Sequence, residues 1–386
     1  MRHLLFLLFV TITSIAASQV ASIPFEKEGL VYIPVKVPGE ETPLQFVFDT
    51  GASTAVMDKA VATRLGITAD TKQYASGASG SQEYEIAVNR TLEIGDLNFD
   101  NLHLVLVDLQ ELSNRSGTSI DGIIGADVIN RFVTQFDFAE KQLHLYKNVK
   151  DIANTNGYTP HKVDLSGPIP MVTMDCIFKD GTRLSGDFLF DSGANLSILF
   201  NTPYANKHQL TTKFDKTIEI TSRGLTATST STKGMLQGVS LLGNDFSNLP
   251  VSIAQTEYGV SAQEGFAGIL GADIINRFDM ILDYKEDLLY LKPNHHYLEA
   301  FDVPLVGFTL KKVDQKIVIG DVIKDTEAAQ KGIAQGDELL SINGVSESTL
   351  KAYREVLKQE GTTIVVRLKK TSGEEVVMKL TLQPLI

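Results

Sequence analysis

The chain has 386 residues, 43% hydrophobic content and a formal net charge of −12, a length that allows about two to three domains with separate cores. The negative charge argues against nucleic acid or an anionic membrane surface as a partner, because both attract basic proteins. The single cysteine, Cys176, excludes an intramolecular disulfide, so packing alone must hold the fold together.

The N-terminus has the pattern of a targeting segment. Arg2 and His3 precede an uncharged apolar stretch over residues 4–17, and small residues follow at the end of that stretch. The stretch is short for a membrane span, so it predicts a signal peptide over residues 1–18 that is removed near Ser18. An uncleaved anchor is the alternative. We expect an exported protein, periplasmic or extracellular after cleavage.

Two copies of one pattern follow. The sequence FVFDTGA at 46–52 returns as FLFDSGA at 188–194, and GIIGADVINRF at 122–132 returns as GILGADIINRF at 268–278. From the Asp to the Gly that ends the apolar-apolar-Gly element there are 76 residues in the first copy and 80 in the second. Matching elements in the same order indicate a duplication and predict two similar lobes.

We place lobe one at residues 23–149 and lobe two at residues 158–293. Their short β-branched runs, divided by Gly, Asn and Ser, predict mostly antiparallel sheet. Apolar runs with a Gly turn between them predict matching hairpins at 92–102 and 239–249. Short helices are expected after Gly125, after Gly271 and over residues 58–65.

Each copy carries one Asp at the end of an apolar strand. Two carboxyls that share one proton can hydrolyse an amide directly, because the ionised one activates water while the protonated one polarises the carbonyl. Asp49 and Asp191 are the candidate pair. Asp is also a common turn residue after a strand, but the duplicated pattern favours the catalytic pair. The expected supporting residues are Thr50 and Ser192, which can brace the two loops, and Gly51 and Gly193, which let backbone N–H groups approach the carboxylates.

These loops resemble the active-site loops of the aspartic peptidase superfamily of pepsin and the retroviral proteases. The apolar-apolar-Gly elements resemble the element that lies under the catalytic loop in that superfamily. The resemblance spans about residues 23–293. It implies a mainly β, two-lobed acid-protease-type β-barrel fold with Asp49 and Asp191 as catalytic residues. The short repeats favour the retroviral-like branch, which implies a flap from each lobe, with Gly77, Gly80 and Gly224 as candidates.

The residues after each Asp-x-Gly sequence lead to a hypothesis about pH. Ala52 and Ala194 occupy these positions. A hydroxyl there could donate to the adjacent carboxylate and lower its pKa. Without it the pair should titrate at higher pH, so we expect activity in mildly acidic to near-neutral conditions.

The last part of the chain, residues 303–386, carries no copy of the Asp motif. Its sequence AAQKGIAQGDELLSINGV at 328–345 resembles a PDZ domain, an α+β fold. In that family an extended peptide adds as a strand, and an apolar-Gly-apolar loop captures its C-terminal carboxylate. Val306, Gly307 and Phe308 match that loop. The resemblance implies a C-terminal peptide ligand, supplied by substrate, a partner or the chain's own tail.

The sequence therefore predicts an exported aspartic endopeptidase that acts on polypeptides, with a PDZ domain that binds peptide or regulates access. We expect a monomer, because the duplication supplies both halves of the site, and we expect no metal, no cofactor and no nucleic acid. His295 and His296 are interpreted as part of a solvated linker rather than as metal ligands. The alternatives are a non-catalytic PDZ adaptor on the same scaffold and a hydrolase of non-peptide amides.

Overall fold

The computed structural model describes residues 19–77, 80–223, 228–347 and 349–386. The predicted signal peptide and the flap candidate Gly224 lie outside the described residues. Strands make up most of the regular structure, which confirms the mainly β fold class. None of the helices in the described ranges has the length and apolar character needed to cross a membrane.

The first repeat folds into strands β1 to β11 and helices α1 to α3. Asp58 begins α1 by accepting hydrogen bonds from the N–H groups of Ala60 and Val61. The strands are β1 (Gln19–Pro24), β2 (Glu26–Glu28), β3 (Leu30–Lys36), β4 (Leu44–Phe48), β5 (Val56–Asp58), β6 (Thr71–Gly77), β7 (Gly80–Ile94), β8 (Leu97–Val107), β9 (Gly122–Ile124), β10 (Val133–Asp137) and β11 (Gln142–Tyr146). The helices are α1 (Lys59–Arg64), α2 (Gln110–Ser116) and α3 (Ala126–Ile129).

The lobe-one sheet is ordered β2-β3-β4-β9-β5-β8-β7-β6, and a further pairing of β3 with β7 closes it on itself. One face of β3 sends Val31, Ile33 and Val35 into the main core. From its other face, Tyr32 packs in a second cluster that includes Ala272 of lobe two. Strand β3 is therefore buried on both faces, which explains its nearly continuous apolar sequence.

Lobe two repeats this arrangement. Its sheet is ordered β13-β14-β19-β15-β18-β17-β16, and β13 also pairs with β17. The strands of the second repeat are β12 (Thr159–Lys162), β13 (Met171–Ile177), β14 (Arg183–Phe190), β15 (Ile198–Phe200), β16 (Ile218–Arg223), β17 (Thr228–Leu241), β18 (Asn244–Gln255), β19 (Gly268–Leu270), β20 (Phe278–Asp283) and β21 (Leu288–Pro293). Its helices are α4 (Thr202–Lys207) and α5 (Ala272–Ile275), and short 3-10 helices lie at Val149–Asp151, Leu210–Lys213 and Val260–Ala262.

A six-stranded sheet joins the two lobes, in the order β1-β11-β10-β20-β21-β12. At its centre β10 and β20 are antiparallel, with Phe136 of lobe one opposite Met280 of lobe two. Both residues are almost fully buried. The lobes therefore share backbone hydrogen bonds and one continuous core, a feature that the repeat pattern did not predict.

The C-terminal region, in which the sequence predicts a PDZ domain, has its own core, separate from that of the lobes. Its sheet is ordered β22-β23-β24-β25-β26. The chain's tail lies beside the start of this domain, where Leu385 N–H donates to Pro304 O at 3.0 Å. The strands are β22 (Phe308–Val313), β23 (Lys316–Val322), β24 (Glu338–Ile342), β25 (Thr363–Lys369) and β26 (Glu375–Thr381), and the helices are α6 (Glu327–Gln330) and α7 (Leu350–Leu357).

The local predictions differ in outcome. The three expected helices are present as α1, α3 and α5, and the hairpin turns contain Gly95 and Gly243 with positive φ. Helix α2 was not predicted. In the linker after β21, His295 is exposed, whereas His296 is half-buried and its Nδ1 lies 2.7 Å from Glu299 Oε1.

Candidate active site

Asp49 and Asp191 stand at the ends of β4 and β14. Strand β4 runs parallel to β9, and β14 runs parallel to β19. Asp49 N–H donates to Ile124 O at 3.1 Å, and Asp191 N–H donates to Leu270 O at 2.9 Å. The apolar-apolar-Gly element of each lobe thus fixes the backbone at which the candidate Asp leaves its strand.

Thr50 and Ser192 bind the two loops to each other. Each backbone N–H donates to the other residue's hydroxyl oxygen at 3.0 Å. The hydroxyls then donate onward, Thr50 to Phe190 O at 2.6 Å and Ser192 to Phe48 O at 2.9 Å. Both side chains are buried, so these four bonds form a closed network between the lobes that cannot exchange readily with water.

Gly51 and Gly193 bring the two carboxylates together. Gly51 N–H donates to Asp49 Oδ1 at 2.7 Å, and Gly193 N–H donates to Asp191 Oδ1 at 2.9 Å. A Cβ on Gly51 would overlap the carboxylate of Asp191, and a Cβ on Gly193 would overlap that of Asp49. Each loop therefore lies directly against the acid of the other lobe. The wide separation that would favour a non-catalytic adaptor is not found.

Gly125 and Gly271 allow the loops to pack on the elements beneath them. A Cβ on Gly125 would overlap backbone atoms of Thr54, and one on Gly271 would overlap the carbonyl of Leu196. Only glycine fits these contacts without a backbone shift.

Burial of the two carboxyls is the largest influence on their pKa values. Burial raises the pKa of the Asp49 carboxyl well above its ordinary value, and the charge of Asp191 raises it further. Burial also raises the pKa of the Asp191 carboxyl, while hydrogen bonds from Asp49 and from backbone N–H groups act in the opposite direction. Such an environment favours a pair that carries one proton between its two carboxyls. Asp49, whose pKa is raised more strongly, is the member that is protonated more readily.

Sequence reasoning assigned no role to Asp127, which supports the first loop. Its Oδ2 accepts hydrogen bonds from Thr54 Oγ1 at 3.0 Å and from Ala55 N–H at 3.1 Å. The one feature of the sequence that could have indicated a role for Asp127 is its position in the duplicated GADxIN sequence. The residue at the equivalent position of lobe two is Asp273, which is buried near Lys233 and Arg277 instead.

Two of the flap candidates lie at the end of the β6–β7 hairpin of lobe one. Gly77 ends β6 and pairs with Gly80, which begins β7. In lobe two, β16 and β17 form the matching hairpin, paired up to Arg223 and Thr228, with Gly224 outside the described residues.

Of the PDZ loop candidates, Val306 and Gly307 lie just before β22, and Phe308 is its first residue. Gly307 O accepts a hydrogen bond from Ile323 N–H at 2.8 Å, and a Cβ on Gly307 would overlap the side chain of Thr326. Phe308 is buried in the PDZ core, whereas Val306 is half-buried. Across the described ranges, no group of three or more His, Cys, Asp or Glu residues is arranged to hold a metal ion.

Comparison with known families agrees with this organisation. Residues 33–128 match the family described as aspartyl protease, and residues 303–373 match the PDZ domain family. The chain combines an aspartyl protease domain with a PDZ domain. The first match lies entirely within lobe one, so lobe two is related to it through the internal repeat. No curated protein sequence matches the chain.

Proposed function

We propose that the chain is an exported aspartic endopeptidase with both catalytic carboxylates on one polypeptide. The observation that carries the proposal is the mutual contact of the two loops, in which Gly51 lies against the Asp191 carboxylate and Gly193 against that of Asp49. Two acids at such close range cannot both ionise at low cost, so the pair is suited to hold one proton.

In the proposed reaction a water molecule lies between the carboxyls. Asp191, the member with the weaker shift in pKa, is ionised and takes a proton from the water as its oxygen attacks the scissile carbonyl carbon. Asp49 holds its proton and donates a hydrogen bond to the carbonyl oxygen. The proton that Asp191 took from the water then passes to the leaving amine as the C–N bond breaks, which leaves Asp191 ionised and Asp49 protonated as at the start. No covalent intermediate with the enzyme is needed.

The other parts of the molecule have proposed roles as well. The β6–β7 and β16–β17 hairpins are proposed flaps that close over an extended polypeptide substrate. The PDZ loop at Val306, Gly307 and Phe308 is proposed to bind peptide C-termini or to regulate access. We also propose that the protein acts as a monomer in the periplasm or outside the cell.

The test is cleavage of an unfolded protein. Chains beginning at residue 19 would be incubated with fluorescently labelled casein as wild type, Asp49→Asn and Asp191→Asn. The exposed Asp96 supplies a matched control, Asp96→Asn. We expect wild type and the control to cleave equally and both dyad variants to lose at least about a thousandfold in rate.

Equal cleavage by all four proteins would overturn the catalytic proposal and assign the activity to a contaminant. A folded wild-type protein that cleaves nothing would favour the adaptor alternative.

A further inference from the structure

The PDZ peptide groove lies between strand β22 and helix α7. In the described sheet β22 has β23 as its one neighbour, so its other edge is free. Leu310 faces Ile319, whose own N–H and C=O bond to Asp337 and Gly336 on the far side. The N–H and C=O of Leu310 therefore point toward the free edge, where an added peptide strand would pair.

Helix α2 of lobe one lies against both walls of this groove. It runs beside β22. Gly117, at its C-terminal end, packs on the side chain of Leu350 at the start of α7, and a Cβ on Gly117 would overlap that side chain. Residues 111–118, which comprise most of α2 and the two residues after it, are all half-buried.

Arg354 of α7 connects α2 to the groove. Its guanidinium donates to Arg115 O at 2.6 Å and to Ser116 O at 3.4 Å, at the C-terminal end of α2. A cation is favourable there, since the last carbonyls of a helix lack partners within it. The same guanidinium lies 3.5 Å from Leu310 O, so it occupies an acceptor that a peptide strand would use.

Two ion pairs set the position of α2 on the PDZ sheet. Lys311 of β22 lies 3.2 Å from Glu111, and Asp321 of β23 lies 3.1 Å from Arg115. Partly exposed pairs such as these add little stability individually. The helix contributes the acid to one pair and the base to the other, so the two pairs together fix the direction and register of α2 on the sheet.

We infer that α2 is the resident occupant of the mouth of the PDZ groove, and that an extended peptide with a free apolar C-terminus binds only after displacing it. An added strand must lie about 4.8 Å from β22, whereas a helix with its side chains is about 10 Å across, so both cannot use this edge. The apparent association constant for peptide is then the intrinsic constant multiplied by the fraction of molecules in which α2 is released from the groove. The inference concerns binding and does not depend on catalysis by the dyad.

The sharpest variant is Gly117→Ala, which pushes α2 away from Leu350. Gly66 supplies a matched control, because it also follows a helix of lobe one and also has positive φ, 69° against 83° for Gly117. A Cβ on Gly66 meets no atom within 4 Å. Gly66→Ala therefore carries a similar backbone strain without touching the PDZ domain.

Hydrogen–deuterium exchange of the full chain measures the contact directly. We expect the β22 amides, Leu310 included, to exchange about tenfold faster in Gly117→Ala than in Gly66→Ala or wild type. Glu111→Lys should also speed their exchange, and adding Lys311→Glu should restore protection by recreating the ion pair. Equal exchange in Gly117→Ala and Gly66→Ala would overturn the inference.

Peptide binding supplies the second measurement. The probe is a pool of fluorescein-labelled decapeptides of random sequence, with Leu, Ile, Val or Phe at the free C-terminus, and Asp49→Asn is the background that prevents cleavage. We expect about tenfold tighter binding to Gly117→Ala than to Gly66→Ala. Equal affinity would overturn displacement, and absence of binding to both would overturn the assignment of an apolar-ended peptide to this groove.

Discussion

Arg131 and Arg277 occupy the same position in the two copies of the repeat, yet they bind different parts of the chain. Arg131 is exposed and donates to Asp127 O and Asp100 O within lobe one. Arg277 is 7% exposed. Its guanidinium donates to four carbonyls of the linker that follows β21, and it lies 3.8 Å from the ring centre of Phe301. The four acceptors are the carbonyl oxygens of His296, Tyr297, Glu299 and Ala300.

The difference arises because the chain continues past lobe two into the PDZ domain. The backbone carbonyls of the linker after β21 need hydrogen-bond donors, and the nearby guanidinium of Arg277 supplies them. The two loops that carry Asp49 and Asp191 behave in the opposite way, since each hydrogen bond of one loop has a counterpart in the other. Duplication is thus preserved where both lobes face one site and lost where one lobe meets a new neighbour.

The largest expected effect tests the symmetric part. Gly51→Ala should displace the carboxylate of Asp191, and Gly193→Ala should displace that of Asp49, because each Cβ would overlap the opposite acid. We expect each change to lower kcat/KM on casein at least about a hundredfold. Gly167→Ala is the control, since a Cβ there meets no atom within 4 Å. A large loss from only one of the two substitutions would break the proposed symmetry.

The second prediction tests the asymmetric part. Arg277→Ala should lower the free energy of unfolding by about 3 kcal/mol, because it leaves several linker carbonyls without a donor. Arg131→Ala, at the matching exposed position, should cost about 0.5 kcal/mol. Urea denaturation at neutral pH measures both. Similar losses for the two variants would show that the linker contacts contribute little to stability.

The third prediction concerns the proton shared by the pair. The pKa of Asp49 is raised in the folded state, so its ionisation opposes folding as pH rises above the ordinary value of 3.8. Asp49→Asn removes this cost. Its Tm should exceed that of wild type by a margin that grows from about pH 3 to pH 7.

Asp191 supplies the comparison for this measurement. Its pKa is also raised, but by burial alone and against opposing hydrogen bonds. Asp191→Asn should therefore give a smaller gain in Tm at neutral pH. A Tm difference for Asp49→Asn that does not change with pH would contradict the raised pKa.

The smallest expected effect concerns the residues after each Asp-x-Gly sequence. Ala52 N–H and Ala194 N–H already lower the pKa of the adjacent carboxyls slightly. Ala52→Ser and Ala194→Ser add a hydroxyl donor, so the acidic limb of the pH–rate profile should move down by about half a pH unit. Ala52→Gly, which adds no donor, is the control. An unchanged profile in both Ser variants would remove the proposed basis for activity at milder pH.

Much of the fold could be predicted from local pattern. The repeat indicated two similar β lobes, the Gly turns indicated the hairpins, and Asp58 indicated the start of α1. Helix α2 was missed because QELSNRS over residues 110–116 has few apolar residues and no side-chain cap at Leu109. Its helical form depends on neighbours, among them Arg354 of the PDZ domain at its C-terminal end.

The candidate site was predictable for a different reason. Asp49 and Asp191 each follow an apolar strand and precede a hydroxyl residue and a glycine, and the repetition of this motif made them the candidate pair. Asp127 also lies in a duplicated motif, but that motif does not indicate a role for it. Only its hydrogen bonds to Thr54 and Ala55 show that it supports the first loop.

The sequence by itself determined the two lobes, the candidate acids and the PDZ domain, because alternation, turn residues and repeated motifs act over short distances along the chain. The tertiary structure decided the six-stranded sheet between the lobes, the use of Arg277 by the linker and the packing of α2 on the PDZ groove. Those contacts join residues far apart in sequence. They depend on which surfaces meet after folding, and no local pattern encodes that.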